Sequence, residues 1–241
     1  MADAEPRSRD PGPAPGGGPA ARARFMGIEL EVGAAVLEPR AETELLCRRA
    51  LALIAGAPAP LVIDIGCGAG NLALAIATLH PAARVVATDI ATAATATARR
   101  NAVRLDIAPR VTVLQGDMFA PLSGLGLEDR VDLIVCNPPY ISTGRLDGDR
   151  RHLLEREPRE AFDGGPYGIA IHQRLVRDAL PFLRPGGWLA FEFGDGQDRQ
   201  AIRLLERQGG YEALELVRDA EGRPRVAVAR KPPGEPDGQR G

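Results

Sequence analysis

Two short segments carry residue types that could do chemistry. The first is Gly66-Cys67-Gly68-Ala69-Gly70, which closes the apolar run Leu61-Val62-Ile63-Asp64-Ile65. Glycines at that spacing let a backbone turn sharply and let a ligand press against it. A helix starting directly afterwards would aim its free N–H groups at an anion in the turn. Asp89 closes the next apolar run and could accept both hydrogen bonds of a ribose diol. Asp64 is a carboxylate inside an otherwise apolar strand and needs a partner, which the loop backbone or a ligand amino group could supply. The second segment is Asn137-Pro138-Pro139-Tyr140, directly after the run 131–136. Two prolines stiffen that backbone and remove two N–H donors. What remains is a rigid edge of acceptors, with an amide before it and a ring after it. That combination suits a planar –NH2 group, whose delocalised lone pair makes it a poor nucleophile. The Asn137 side-chain oxygen and the Pro138 carbonyl can hold both hydrogens, favour the positive charge that develops on nitrogen, and leave the lone pair aimed at an electrophile. Tyr140 can stack on the planar group. No strong base is needed before attack, because the proton can leave afterwards. Positioning of this kind is worth ~7–11 kcal/mol in favourable cases.

The elements that must position these segments alternate between strand and helix. Short β-rich runs are predicted at 61–65, 84–88, 111–114, 131–136 and 188–193, with helices at 71–79, 91–105, 168–183 and 197–208. Pro185-Gly186-Gly187 leads into the fifth strand, and two further β-rich runs, 211–218 and 225–230, flank Gly222. Repeated strand–helix units imply an α/β, doubly wound, mostly parallel, Rossmann-like sheet of seven strands, and the closing pair implies an antiparallel edge strand. Ligands of such sheets bind outside the carboxyl ends of the strands, at the topological switch point. Both chemical segments fall there. Ahead of the first strand, a small hairpin at 27–37 and a helix at 43–54 are expected, so that the single domain spans 25–231 with its hairpin and helix in 25–55. The first 24 residues, rich in proline and glycine, read as a disordered tail, and 232–241 as a second one.

Composition narrows the classes. Of 241 residues, 44% are hydrophobic and 26% charged, and thirty basic side chains face thirty-two acidic ones for a net charge of -2. No overall positive field exists to draw in nucleic acid or an anionic membrane. Three cysteines without a Cys-x-x-Cys pair point to a reducing, cytoplasmic setting, and Cys67 and Cys136 read as small buried side chains. The longest weakly polar stretch, 51–63, is interrupted by Gly56, Pro58 and Pro60 and is too short to span a bilayer. His80, His152 and His172 have no metal-ligand spacing and are expected at the surface or in loops, and Trp188 is expected in the core. The run 145–159 mixes five arginines with four acids and suits a solvated lid.

The G-x-G-x-G spacing departs from the G-x-G-x-x-G of dinucleotide sites, where Asn71 would have to be glycine, and resembles the loop of S-adenosylmethionine (SAM)-dependent methyltransferases. Over residues 27–231 the chain resembles the protein-glutamine methyltransferases of the HemK/PrmC type, which modify the glutamine amide of peptide-chain release factors. The resemblance rests on Val36-Leu37-Glu38-Pro39-Arg40-Ala41-Glu42-Thr43-Glu44, on Gly116-Asp117-Met118-Phe119, on Asn137 to Ile141, on Glu157 to Gly165, on Leu183 to Gly187, and on Arg218-Asp219 and Arg230-Lys231. It implies the class I methyltransferase fold and SAM as methyl donor. Gly66, Cys67, Gly68, Ala69 and Gly70 would cradle the methionine part, Asp89 would take the ribose hydroxyls, and Asp117, Met118 and Phe119 would flank the adenine. Asn137, Pro138, Pro139 and Tyr140 would hold the substrate amide, with Asn137 also lining the cofactor site, and the 39–44 turn would lie close to the cofactor. Glu38 and Ala41 replace an apolar residue and a proline of that turn, and Met118 stands where a larger aromatic is usual. The family's helical N-terminal domain has no counterpart, since only a tail precedes Gly27. The implied partner is a protein with an exposed glutamine, a release factor, met by a monomer. An amino-group methyltransferase of RNA or DNA, a small-metabolite methyltransferase and a non-catalytic SAM-binding protein are the other readings.

Overall fold

The computed structural model describes residues 21–32, 40–139 and 169–234. It opens with a hairpin, β1 (Ala21–Phe25) and β2 (Ile28–Val32), followed by α1 (Ala41–Ile54). Then come β3 (Leu61–Ile65), α2 (Asn71–Leu79), β4 (Arg84–Asp89), α3 (Thr92–Arg104), β5 (Val111–Gln115) and β6 (Val131–Cys136). The chain closes with α4 (Ala170–Ala179), β7 (Leu183–Glu192), α5 (Asp198–Gln208), β8 (Glu212–Arg218) and β9 (Pro224–Arg230). Seven strands form one sheet in the order β5-β4-β3-β6-β7-β9-β8. β9 runs antiparallel to both of its neighbours, and β3 to β7 pair in parallel. The α/β, doubly wound, seven-stranded arrangement is the one expected.

Strand period sorts the side chains into two cores. Val62, Leu133, Val135, Ala190, Val226 and Val228 face the layer of α1, α2 and α3. Their sequence neighbours Ile63, Ile134, Leu189, Phe191, Ala227 and Ala229 face α4 and α5. A strand apolar on both faces is the mark of a sheet covered on both sides. Each fully buried Leu, Ile or Phe stabilises the fold by roughly 1.5–3 kcal/mol. The alanine-rich α3 buries Ala94, Ala98 and Ala102 and so can lie close to the sheet. Lys231, the only lysine of the chain, donates from Nζ to the Leu180 and Leu183 carbonyls (3.1 and 2.7 Å) and to Asp129 (2.6 Å), tying the end of β9 to the start of β7. Among the described residues no helix is long and apolar enough to cross a membrane.

Three boundaries differ from expectation. The hairpin occupies 21–32 rather than 27–37, so residues 21–24, expected in the tail, form β1. Its order comes from buried Phe25 and Leu30 and from a two-residue turn at Met26-Gly27, both with positive φ (50° and 80°). Residues 33–39 lie outside the described region. α4 ends at Ala179 instead of 183, because Pro181 has no N–H to offer the Arg177 carbonyl. β7 then begins at Leu183 and takes in Pro185-Gly186-Gly187 as a bulge, since Val131 pairs with Leu183 but Leu133 with Trp188. A Cβ on Gly187 would stand 2.7 Å from the Val131 carbonyl oxygen, so only glycine fits that crossing.

Candidate functional site

Parallel pairing aligns the strand ends. Ile65 stands opposite both Thr88 and Cys136, and Cys136 opposite Phe191. The next residues, Asp89, Gly66, Asn137 and Glu192, therefore leave four adjacent strands at one level, with strand axes about 4.8 Å apart. Gln115 pairs with Asp89 and adds the end of β5, followed by Gly116-Asp117. Parity also matters. Asp64 shares the α1–α3 face with Val62, and Glu192 shares it with Ala190.

The glycine loop is tied down by backbone. Gly66 and Cys67 both donate to the Thr88 carbonyl (2.8 and 2.9 Å). Gly70 has φ 90°, and a Cβ there would lie 2.8 Å from Leu74 Cδ1 and 3.3 Å from Ala98 Cβ. Gly66, at φ 72°, faces open space, with no atom within 4 Å of where its Cβ would be. Gly70 cannot cap α2 with a side chain, and Asp64 does so from β3 by accepting from the Ala73 N–H at 3.0 Å. Its other oxygen, Oδ1, is buried without a partner, as is Oδ1 of Asn71 at the first position of α2. Burial pushes the Asp64 carboxyl up to about 7; the Ala73 N–H opposes this and the Asp89 charge adds to it. Two orphaned buried acceptors beside an open glycine loop fit a ligand that brings an ammonium group.

Asp89 braces two turns at once. Oδ2 accepts from Gly68 N–H and Oδ1 from Ala91 N–H, each at 2.9 Å. A carboxylate has about four lone-pair sites, so each oxygen retains one for a diol. Ile90, next in the chain, is a large apolar side chain left 60% exposed. A flat heteroaromatic ring beside the diol would cover it. Asp117 is exposed and pairs with Arg174 at 2.7 Å. Met118 is buried with φ 48°, and its carbonyl accepts from the Thr88 hydroxyl at 2.9 Å. Phe119 stacks on Phe182 in the core, with ring centroids 5.3 Å apart.

On the other side of the switch point, the Asn137 amide donates to Thr43 Oγ1 at 2.9 Å. The Thr43 hydroxyl donates to Glu192 Oε2 at 2.8 Å. Pro138 is buried and Pro139 half-buried. Tyr140, the turn residues Glu38 and Pro39, the 145–159 run with His152, and the 157–165 segment lie outside the described residues. His172, expected at the surface or in a loop, is instead buried on α4, where its Nε2 meets the Glu192 carbonyl oxygen at 2.9 Å. A carbonyl only accepts, so that nitrogen carries the proton. Cys67 and Cys136 are buried, and burial raises both thiols well above their ordinary range, as suits packing rather than nucleophilic attack.

Four residues enter the site that the sequence reading did not assign: Ile90, Asn101, Thr43 and Glu192. Asn101 is buried on α3; its Oδ1 accepts from the Glu31 N–H (2.8 Å), and its Nδ2 donates to the Glu31 and Ala69 carbonyls (2.9 and 3.1 Å). It thereby staples the hairpin to the glycine loop. Glu44 anchors the hairpin tip by accepting from Met26 N–H at 2.9 Å. The visible signal for Glu192 was the same as for Asp64, a carboxylate in a buried apolar strand.

The methyltransferase small domain model matches residues 43–160. A release factor glutamine methyltransferase of Moorella thermoacetica is 41% identical over 205 residues, covering 85% of this chain and 71% of that one. One from Caulobacter vibrioides is 38% identical over 212 residues, covering 88% and 72%. Among solved structures, the hMettl16 catalytic domain in complex with MAT2A 3′UTR hairpin 6 superposes with a TM-score of 0.65 at 16% identity, over 88% of this chain and 77% of that one. That likeness is one of fold.

Proposed function

Since the chain belongs to the release factor glutamine methyltransferases, we propose that it transfers a methyl group from SAM to the side-chain amide nitrogen of a glutamine in a peptide-chain release factor. SAM supplies an electrophilic sulfonium methyl. The observation that carries the reading is the place of Asn137: one strand over from the glycine loop, at the same level, with its amide held by Thr43.

The 25–231 unit is the working domain, and its residues divide the labour by strand end. The glycine loop 66–70 takes the methionine part, and the unpartnered Asp64 oxygen receives its ammonium. Asp89 takes the ribose diol through its remaining lone pairs. Ile90 and the Asp117-Met118 turn flank the adenine. Asn137 Oδ1 and the Pro138 carbonyl accept the two N–H groups of the glutamine amide, and Tyr140 stacks on its plane. Held so, the nitrogen lone pair points towards the donor. As the bond to carbon forms, positive charge grows on a nitrogen already facing two acceptor oxygens. One of its protons then leaves to solvent, so no resident base is required.

The test is transfer of label from methyl-labelled SAM to a purified release factor, followed by mapping of the label to a glutamine. Asn137→Ala should cut turnover at least about a hundredfold, as loss of one preorganised partner does elsewhere, while SAM binding persists. Label appearing on RNA or DNA and not on protein would overturn the substrate assignment. Unchanged turnover in Asn137→Ala would overturn the role of Asn137.

A further inference from the structure

We propose that Thr43 and Glu192 form a positioning relay that fixes the orientation of the Asn137 amide and polarises it towards the substrate. The proposal rests on the reading above, in which Asn137 holds the acceptor amide. The relay runs from Asn137 Nδ2 to Thr43 Oγ1 (2.9 Å) and from the Thr43 hydroxyl to Glu192 Oε2 (2.8 Å). Its direction is dictated from the buried end. The single Thr43 proton is donated to Glu192 Oε2. The lone pairs of Thr43 Oγ1 then face Asn137, which must present its NH2 and not its oxygen. Oδ1 is thereby turned away from the relay and left to accept from a substrate –NH2. An amide rotated by half a turn would set one NH2 against another and abolish the grip.

The three residues come from three elements, which is why the geometry is stiff. Asn137 follows β6, Glu192 ends β7 and Thr43 lies in the first turn of α1. Thr43 is 3% exposed and Glu192 1%. Glu192 is further fixed by strand pairing with Val226 and by His172 on its carbonyl. Neither Thr43 nor Glu192 needs to touch substrate. In its carboxylate form Glu192 acts through its charge. Its negative field, passed through two hydrogen bonds, draws the Asn137 amide towards its O⁻/NH2⁺ form and makes Oδ1 a stronger acceptor. That matters when the N–C bond forms, the sulfur of the donor keeps the electron pair of the broken S–C bond, and the nitrogen becomes positive before losing its proton to water. All three groups are in place beforehand, so no reorganisation is required at that moment.

The experiment compares Thr43→Val, Thr43→Ser and Glu192→Gln. Three quantities are read: kcat and KM for the release factor, the Kd for SAM, and the side-chain amide NMR signals of Asn137 in the ligand-free protein, assigned by their loss in Asn137→Ala. Thr43→Val keeps the shape and removes the hydroxyl; Glu192→Gln keeps the shape and removes the charge. Both should lower kcat about 10- to 100-fold, the span expected for one charge-assisted hydrogen bond, while KM and the SAM Kd move less than about threefold. Thr43→Ser should restore kcat to within about threefold of the parent, a rescue that a packing role for the methyl group would not produce. The Asn137 amide signals should move in Thr43→Val and return in Thr43→Ser. Wild-type kcat in Thr43→Val, equal damage in Ser and Val, or unmoved Asn137 signals in Thr43→Val would each overturn the relay. If Glu192→Gln does not fold, the Thr43 pair decides. If the unaltered protein labels no release factor, the substrate reading fails by itself and the relay stands or falls on the amide signals.

Discussion

Replacing Asp64 by asparagine should move stability and cofactor affinity in opposite directions. The carboxyl titrates at about 7 in the fold, against an ordinary value of 3.8. Between those values the folded chain holds a proton that the unfolded chain has released. Stability therefore falls as pH rises through that window, by about 1.4 kcal/mol per pH unit, and the deficit of about 4 kcal/mol is complete above pH 7. Asparagine has no charge to desolvate and can still accept from the Ala73 N–H. It leaves an NH2 unpartnered where Oδ1 is now, at a cost of about 1–3 kcal/mol. The net expectation is an Asp64→Asn protein more stable than the parent by about 1–3 kcal/mol at pH 8, with most of that gain gone at pH 5. SAM affinity should respond the other way. Only the ionised carboxylate attracts the ammonium, so the parent should bind about fivefold more weakly at pH 6 than at pH 7, about tenfold more weakly for each further unit, and release close to one proton per SAM at pH 6. The variant should bind more weakly than the parent at pH 7 and show no such slope. Urea unfolding at pH 5 and 8 measures the first effect. Titration calorimetry at pH 6 and 7, in two buffers of different ionisation heat, measures the second. Equal parent affinity at pH 6 and 7 without proton release, or a variant less stable than the parent at pH 8, would refute the reasoning.

Other expectations are simpler. Ile90→Ser should leave the unfolding free energy within about 0.5 kcal/mol because the side chain is exposed, yet weaken SAM about 5- to 20-fold; calorimetry showing full affinity would remove Ile90 from the adenine site. Gly70→Ala combines a left-handed φ with a Cβ only 2.8 Å from Leu74, and should cost about 2–4 kcal/mol in a denaturant melt and weaken SAM binding with it. Lys231→Met removes a cation from two carbonyls and a carboxylate; a loss of about 1.5–3 kcal/mol is expected by the same melt, with methyl transfer unchanged well below the midpoint.

What the sequence discloses here depends on how local the determinant is. The five strands that carry the site end at Asp89, Ile65, Cys136 and nearby positions, and each is legible because a short apolar run meets a turn signal within a few residues. Asn137 and the glycine loop are legible for the same reason, and the continuous apolar run around it marks Asp64 as buried. The relay is not. Thr43 and Glu192 stand 149 positions apart, and nothing in either neighbourhood says that sheet order will bring α1 over the end of β7. Asn101 is hidden similarly, since its partners Glu31 and Ala69 lie 70 and 32 positions away. The hairpin is misjudged at its start because alternating alanine and arginine at 21–24 resembles the tail before it. Two buried anchors, Phe25 and Leu30, outweigh that composition.

The order of the strands has one more consequence. β3, β4 and β5 carry the segments assigned to the methyl donor, whereas β6 and β7 carry those assigned to the acceptor, and within the sheet the two groups of strands pair along β3–β6. The sheet is thus divided by a seam, and inheritance can treat its halves separately. Substitutions that retune the acceptor can accumulate on β6, β7 and α1 while the donor half is kept under constant selection. A lineage can change what it methylates without ever passing through a form that has lost its grip on the methyl source.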